Sequence, residues 1–197
     1  MDILNLIQTP DELLKYMNQN IAYGFVGKNG KKYTDMFSEE WDDWYSQCFV
    51  QNGEEVLKSK TGTCWDQVEL ERLWFERNGY TIHTFFMWFE VNKENNYPTH
   101  TFLIYESNNK YYWFENAFES ERGIHEFNSL DEAIKCVKSK QIKYTKNNFP
   151  NSSTDDMESL VVYEYFKPAN HIGVDEYLNH VTSTKYVSKK KEKQISK

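Results

Sequence analysis

The sequence predicts an α+β protein in which helices pack on an antiparallel sheet. Three runs rich in Phe, Tyr, Trp, Thr and Ile, at 81–91, 100–106 and 110–118, follow one another closely, as neighbouring antiparallel strands do. The segment 64–78 contains neither Gly nor Pro and is followed by Gly79, which predicts one helix of about 22 Å. The 39% hydrophobic and 17% aromatic content suits a folded core.

Helix signals also precede that segment. Thr9 as N-cap with Glu12 three residues later predicts a helix in "TPDELLKYM". The stretch 23–33 contains three glycines and is predicted to be a turn-rich loop. Aromatic residues at helical spacing predict an amphipathic helix over 37–49. The following "NGEEVLKSKTGT", residues 52–63, reads as a short helix or loop.

The C-terminal part is also predicted to contain helices and a strand. "SLDEAIKCVKSK" at 129–140 predicts an amphipathic helix with a serine cap. A polar connector is expected at 146–159, a strand at 160–168 and a short helix at 173–181. These helices and strands fit one α+β domain rather than two separate units.

The charge distribution argues against nucleic-acid binding. The net charge is −7, and the last thirteen residues contain six lysines and one glutamate, so the other 184 residues carry −12. An acidic body repels a phosphate backbone. The sequence contains no run of about 20 apolar residues that would predict a membrane span, and no secretory signal is expected at its start.

Cysteine usage predicts a reduced, cytoplasmic setting. The sequence has three cysteines without a C-x-x-C pair, so neither a disulfide framework nor a structural zinc site is expected. Cys64 follows a Gly-Thr pair at the start of a predicted helix, where unpaired N–H groups stabilise a thiolate and can hold an oxyanion. The alternative is an ordinary buried cysteine, which is the expectation for Cys48 and Cys136.

His-Thr-Phe occurs twice, at His83 and at His100. A cysteine nucleophile requires a base within hydrogen-bonding distance, and that base requires an orienting partner. Strand 81–91 starts at the far end of the predicted helix and runs back along it, so the next strand begins near Cys64. His100 opens that next strand and is the predicted base. His83 stays remote and is expected to have a packing or surface role.

The same strand pairing predicts the orienting acid. If "NN" at 108–109 forms a two-residue hairpin turn, the register places Glu115 diagonal to His100 on the same face. Glu115 would then hold the imidazole in the required tautomer. A register slip of one residue would give this role to Asn116.

Three motifs together resemble the transglutaminase-like superfamily, a branch of the papain-like cysteine enzymes. They are "GTCW" at 62–65, "HTF" at 100–102 and "WFE" at 113–115, in the family's order of Cys, His and acid. The resemblance covers about residues 60–118 and is greatest to small members from Gram-positive bacteria and their mobile elements, in "GTCWDQVELER", "PTHTFLIY" and "YYWFENAF". The chain departs from the pattern at Glu115, where the family usually has Asp, and after the histidine, where many members have Ala-Trp.

The resemblance implies a papain/transglutaminase-like fold, in which a central helix bearing the cysteine packs on an antiparallel sheet. It implies one such domain over 1–184, followed by a basic tail over 185–197 that is expected to be disordered. It also implies acyl transfer on an amide of a peptide or protein through a thioester, without metal or cofactor. The residues implied are Cys64, His100 and Glu115. Water as acyl acceptor, which gives a protease or amidase, is favoured over an amine, which gives a transglutaminase.

Other interpretations remain open at this point. The same fold can serve as a catalytically inactive module whose aromatic residues bind a peptide or protein. A zinc site built from Cys64, His100 and His125 is a third interpretation, although the ligand spacing does not favour it. The side chain that completes the oxyanion hole is not identified by the sequence. Its candidates are Tyr23, Trp44 and Gln47.

Overall fold

The computed structural model describes residues 3–36, 38–41, 43–91 and 97–186. The α-helices of these residues are α1 (Pro10–Asn20), α2 (Trp44–Gln47), α3 (Gly53–Ser59), α4 (Cys64–Arg77), α5 (Leu130–Asn148), α6 (Thr154–Glu158) and α7 (Val174–Val181). The strands are β1 (Ala22–Tyr23), β2 (Phe25–Val26), β3 (Lys32–Tyr33), β4 (Thr61–Gly62), β5 (Thr81–Phe89), β6 (His100–Ser107), β7 (Lys110–Glu115), β8 (Gly123–Phe127) and β9 (Leu160–Glu164).

The central element is a five-stranded antiparallel sheet with the order β8-β7-β6-β5-β9. Its three middle strands are those that the aromatic runs predict. The expected α+β class is therefore confirmed, with helices packed on an antiparallel sheet. Strand β8 was not predicted, because "GIHEF" has a weak apolar pattern and its side chains are mostly half-buried.

Helices cover both faces of this sheet. Successive strand residues point to opposite faces, so Phe86 packs in one core with Phe75 and Trp74 of α4, whereas Phe85 packs in a second core with Val137 of α5. All five of these side chains are fully buried. The helix that starts at the predicted nucleophile is thus held against the sheet by aromatic packing.

The caps of α1 and α4 agree with the sequence prediction. Thr9 and Glu12 form the complete capping box at the start of α1. Helix α4 begins at Cys64 and ends at Arg77, shortly before Gly79, whose φ of 75° is the left-handed conformation typical of a helix end.

The predicted helix over 37–49 is wrong. Within the described part of this segment, only a short 3₁₀ turn and α2 are helical. The chain leaves the helix at Cys48 because this residue forms an antiparallel bridge with Gly27. Cys48 is buried, as expected for a core cysteine, although it follows α2 instead of lying within a helix. Phe37 and Asp42 lie outside the described residues.

The C-terminal part also differs in extent from the prediction. Helix α5 continues to Asn148 because buried Gln141 and Thr145 extend its inward face, and α6 lies within the expected polar connector. Lys185 pairs with Tyr163 at the outer edge of β9. The rest of the predicted tail, residues 187–197, lies outside the described residues. None of the helices in the described ranges has both the length and the apolar character required to cross a membrane.

Candidate active site

The turn before Cys64 is held by one buried carboxylate. The backbone N–H and the hydroxyl of Thr63 donate to Asp66 over 2.8 and 3.0 Å, and the backbone N–H of Gln51 donates to the same carboxylate over 2.8 Å. Desolvation raises the pKa of Asp66 to about 7, although the three donors oppose this rise. Asp66 therefore fixes the backbone conformation at the start of α4.

Gly62 is required at this turn by close packing. A Cβ atom at this position would lie 2.9 Å from the Cβ of Asp66 and 3.5 Å from the Cγ of Gln67. Parallel pairing of β1 with β4 places Tyr23 directly beside Gly62. The first turn of α4 is thus enclosed by backbone on one side and by its own side chains on the other.

His100 and Glu115 form a buried pair. His100 Nε2 lies 2.8 Å from Glu115 Oε2, and the two residues are 5% and 2% exposed. Trp113 Nε1 donates to the same oxygen over 3.1 Å, and the backbone N–H of Phe118 donates to Glu115 Oε1 over 2.6 Å. The predicted contact between His100 and Glu115 is confirmed. The two extra donors hold the carboxylate, and the sequence did not reveal them.

The predicted hairpin register is also confirmed. Ser107 faces Lys110, and the ladder continues without a slip. Asn108 and Asn109 have φ values of 50° and 59°, as a tight two-residue turn requires. Asn116 points away from His100.

The side chain of Asn116 instead joins the sheet to the first turn of α4. Its Nδ2 donates to Gln67 Oε1 over 2.7 Å, and Gln67 Nε2 donates to the carbonyl of Gly62 over 2.8 Å. This chain of hydrogen bonds runs from the end of β7 to the turn that carries Cys64. It fixes the position of the cysteine relative to the strand that bears Glu115.

Cys64 is among the groups that raise the pKa of His100, and both residues line the same cavity. Because Nε2 is bonded to Glu115, the remaining ring nitrogen, Nδ1, is available to the thiol. Burial alone would lower the pKa of His100, but the Glu115 carboxylate and Cys64 outweigh it and raise the pKa to about 10. The imidazole is therefore protonated at neutral pH.

The other histidines lie elsewhere. His83 lies between two carboxylates, with Nδ1 2.9 Å from Glu164 Oε1 and Nε2 2.9 Å from Glu106 Oε1. It pairs with Ile104 in β6, four residues from His100 and thus about 13 Å along the strand. The prediction that His83 is remote is confirmed.

His125 is also engaged away from the thiol. Its ring stacks on Trp113 with centroids 4.7 Å apart, and Nε2 lies 2.8 Å from the carbonyl oxygen of Glu121. In the part of the chain that the structure describes, no group of three His, Cys, Asp or Glu residues is arranged to hold a metal ion. The geometry therefore gives no support to the zinc interpretation.

Cys64 and His100 open onto a cavity of about 480 Å³. Of the three oxyanion candidates, Tyr23 lines this cavity together with Cys64. Desolvation, followed by the charge of Cys64, raises the pKa of Tyr23, so its hydroxyl remains a donor. Trp44 packs instead against the ring of Trp65, with centroids 6.0 Å apart.

Gln47, the third candidate, donates a hydrogen bond from its Nε2 to Asp43 Oδ2 over 3.1 Å. Tyr23 precedes Cys64 by 41 positions, so only the pairing of β1 with β4 reveals that the two residues are neighbours.

Comparison of the chain with protein-family models, curated proteins and solved structures returns no match. The functional interpretation therefore rests on the geometry of these residues and on the sequence motifs.

Proposed function

We propose that this protein is a cysteine-dependent acyl-transfer enzyme that hydrolyses an amide bond of a peptide or protein. Cys64 is the nucleophile, His100 the proton carrier and Glu115 the residue that orients the imidazole. The observation that carries this proposal is the buried 2.8 Å contact between His100 and Glu115, next to Cys64 at the wall of an open cavity. The motif resemblance to the transglutaminase-like, papain-like enzymes supports the same three roles.

The first half-reaction forms a thioester. The sulfur of Cys64 attacks the amide carbon, and the positive charge of His100 stabilises the negative sulfur before the attack. The carbon–nitrogen bond then breaks, and His100 gives its proton to the departing amine. Because the pKa of His100 is raised to about 10, the ring carries this proton at neutral pH.

Two donors would stabilise the oxyanion in this mechanism. The backbone N–H of Cys64 is at the first position of α4, where helical N–H groups have no partner in the helix itself. The hydroxyl of Tyr23 is the second donor, because Tyr23 lies beside Gly62 in β1 and lines the cavity with Cys64. Removal of one oxyanion-hole donor from a hydrolase that uses acyl transfer costs about 10²- to 10³-fold in kcat.

Water completes the reaction. His100 takes a proton from water, the oxygen attacks the thioester carbon, and the carboxylic acid leaves as the thiolate is restored. Hydrolysis is favoured because water needs no second binding site. An amine acceptor would instead produce a new amide, which is transglutamination.

The test is site-selective alkylation together with turnover. Cys64 should react with iodoacetamide faster than a free model thiol, and a peptide library should be cleaved by the wild type but not by Cys64→Ala. Cys136→Ser is the matched control, because Cys136 is a partly exposed cysteine on α5, and it should behave as the wild type. Addition of a fluorescent primary amine detects transglutamination in the same assay.

Two results would contradict the proposal. In the first, Cys64 reacts no faster than the free thiol. In the second, neither hydrolysis nor amine incorporation depends on Cys64, which would favour a non-catalytic peptide-binding module.

A further inference from the structure

The cavity beside Cys64 extends well beyond the reacting atoms. It reaches between the segment 117–122 and the second half of α5. Most of its wall is apolar or aromatic. The side chains responsible are Tyr23, Met36, Pro98, Ala117, Phe118 and Tyr144.

Two aromatic rings of this wall pack against each other. Phe118 and Tyr144 pack edge to face, with centroids 5.2 Å apart. Phe118 also packs against the ring of His100 at 5.4 Å, so the aromatic wall is continuous with the reacting site. Tyr144 is 40% exposed, which leaves part of its ring free to contact a ligand.

The charged side chains around the cavity have opposite signs. Among the described residues that line it, Glu119 and Arg122 are the charged groups besides the reacting ones, and they have opposite sign. Arg122 is anchored by its Nε, which donates to the carbonyl of Asn116 over 3.0 Å. The two opposite charges leave no net charge that would favour a charged ligand side chain over an uncharged one.

The volume of the cavity leaves room for a large side chain. Pockets of about 300 to 1,000 Å³ hold ligands of small-molecule size, and 480 Å³ lies in this range. An alanine or glutamine side chain would leave much of the aromatic wall in contact with water. A planar ring would cover that wall and gain both apolar burial and ring contacts.

We propose that this cavity binds a bulky, uncharged aromatic side chain of the acyl donor, next to the amide that Cys64 attacks. This inference rests on the proposed function and specifies its substrate class. Recognition is assigned to Phe118, whose ring packs against His100, and to Tyr144, which has no part in the proposed proton transfer.

The test compares four substrates, each an N-acetyl amino acid joined through its carboxyl group to aminomethylcoumarin. The amino acids are phenylalanine, leucine, alanine and glutamine. We expect kcat/KM to be at least about tenfold higher for phenylalanine than for alanine or glutamine, since several methylene equivalents of apolar contact separate them. Tyr144→Ala should reduce this ratio several-fold. The matched control is Lys143→Ala, an exposed neighbour on α5 outside the cavity wall, which should leave the ratio unchanged.

A binding measurement separates this inference from the proposed reaction. Titration of Cys64→Ser with N-acetylphenylalaninamide and N-acetylalaninamide should show tighter binding of the phenylalanine compound. If cleavage depends on Cys64 but favours alanine or glutamine, the aromatic specificity is wrong and the proposed function stands. If the phenylalanine compound binds selectively but no amide is cleaved, the proposed function fails and the aromatic site stands. If Tyr144→Ala leaves the ratio unchanged, the assigned wall is wrong.

Discussion

Replacement of Glu115 by glutamine tests the electrostatics of the candidate site most directly. The change keeps the size of the side chain but removes the negative charge 2.8 Å from His100. Burial then acts on the imidazole without its main opposing influence, and only Cys64 still raises the pKa, so the pKa should fall from about 10 towards the ordinary value of 6.5. This difference corresponds to a loss on the order of 5 kcal/mol in the preference for the protonated ring.

The assay is an NMR titration of the imidazole Cε1–H signal of His100, which does not depend on turnover. Glu115→Asp, which keeps the charge, should retain part of the raised pKa and guards against a general structural effect of the glutamine. Glu106→Gln is the matched control, because it removes a carboxylate from His83 at the other end of the sheet. A His100 titration midpoint that is the same in Glu115→Gln and in the wild type would refute the reasoning.

Two further predictions concern stability. His100 should contribute most to the free energy of unfolding below about pH 6.5, and this contribution should fall as the pH rises toward 10. Between these two pH values the folded protein keeps the His100 proton, whereas the unfolded chain releases it. Denaturant titrations across this range should show the decline, and a flat profile would contradict it. Gln67→Leu should destabilise the protein by about 2 kcal/mol, because Asn116 and the carbonyl of Gly62 lose buried hydrogen-bond partners. A change below about 0.5 kcal/mol in chemical denaturation would show that these hydrogen bonds are not needed.

Local features made part of the site predictable. The register between β6 and β7 depends on a two-residue turn at Asn108 and Asn109, and such a turn determines which residues face each other. The sequence alone therefore predicts Glu115 as the partner of His100. The start of α4 at Cys64 was predictable for a similar reason, since a helix without internal Gly or Pro is bounded by signals close in sequence.

Short helices were harder to predict. Aromatic spacing over 37–49 indicated a helix, but Cys48 pairs with Gly27 and the helix ends. The spacing of apolar residues indicates which side chains are buried, but it does not indicate whether the backbone pairs with a distant segment. The length of α5 was underestimated because polar residues such as Gln141 face inward.

The sequence by itself determined the α+β class, the order of cysteine, histidine and acid, and the end of the sheet at which His100 lies. These properties follow from signals that are close together in sequence and from the lengths of the helix and the antiparallel strands that follow it. Only the tertiary structure decided that Tyr23 lies beside Gly62, that Asp66 binds the backbone of Gln51 and that aromatic rings line the cavity. These contacts join residues far apart in the chain, and their geometry is set by how helices and strands pack against one another.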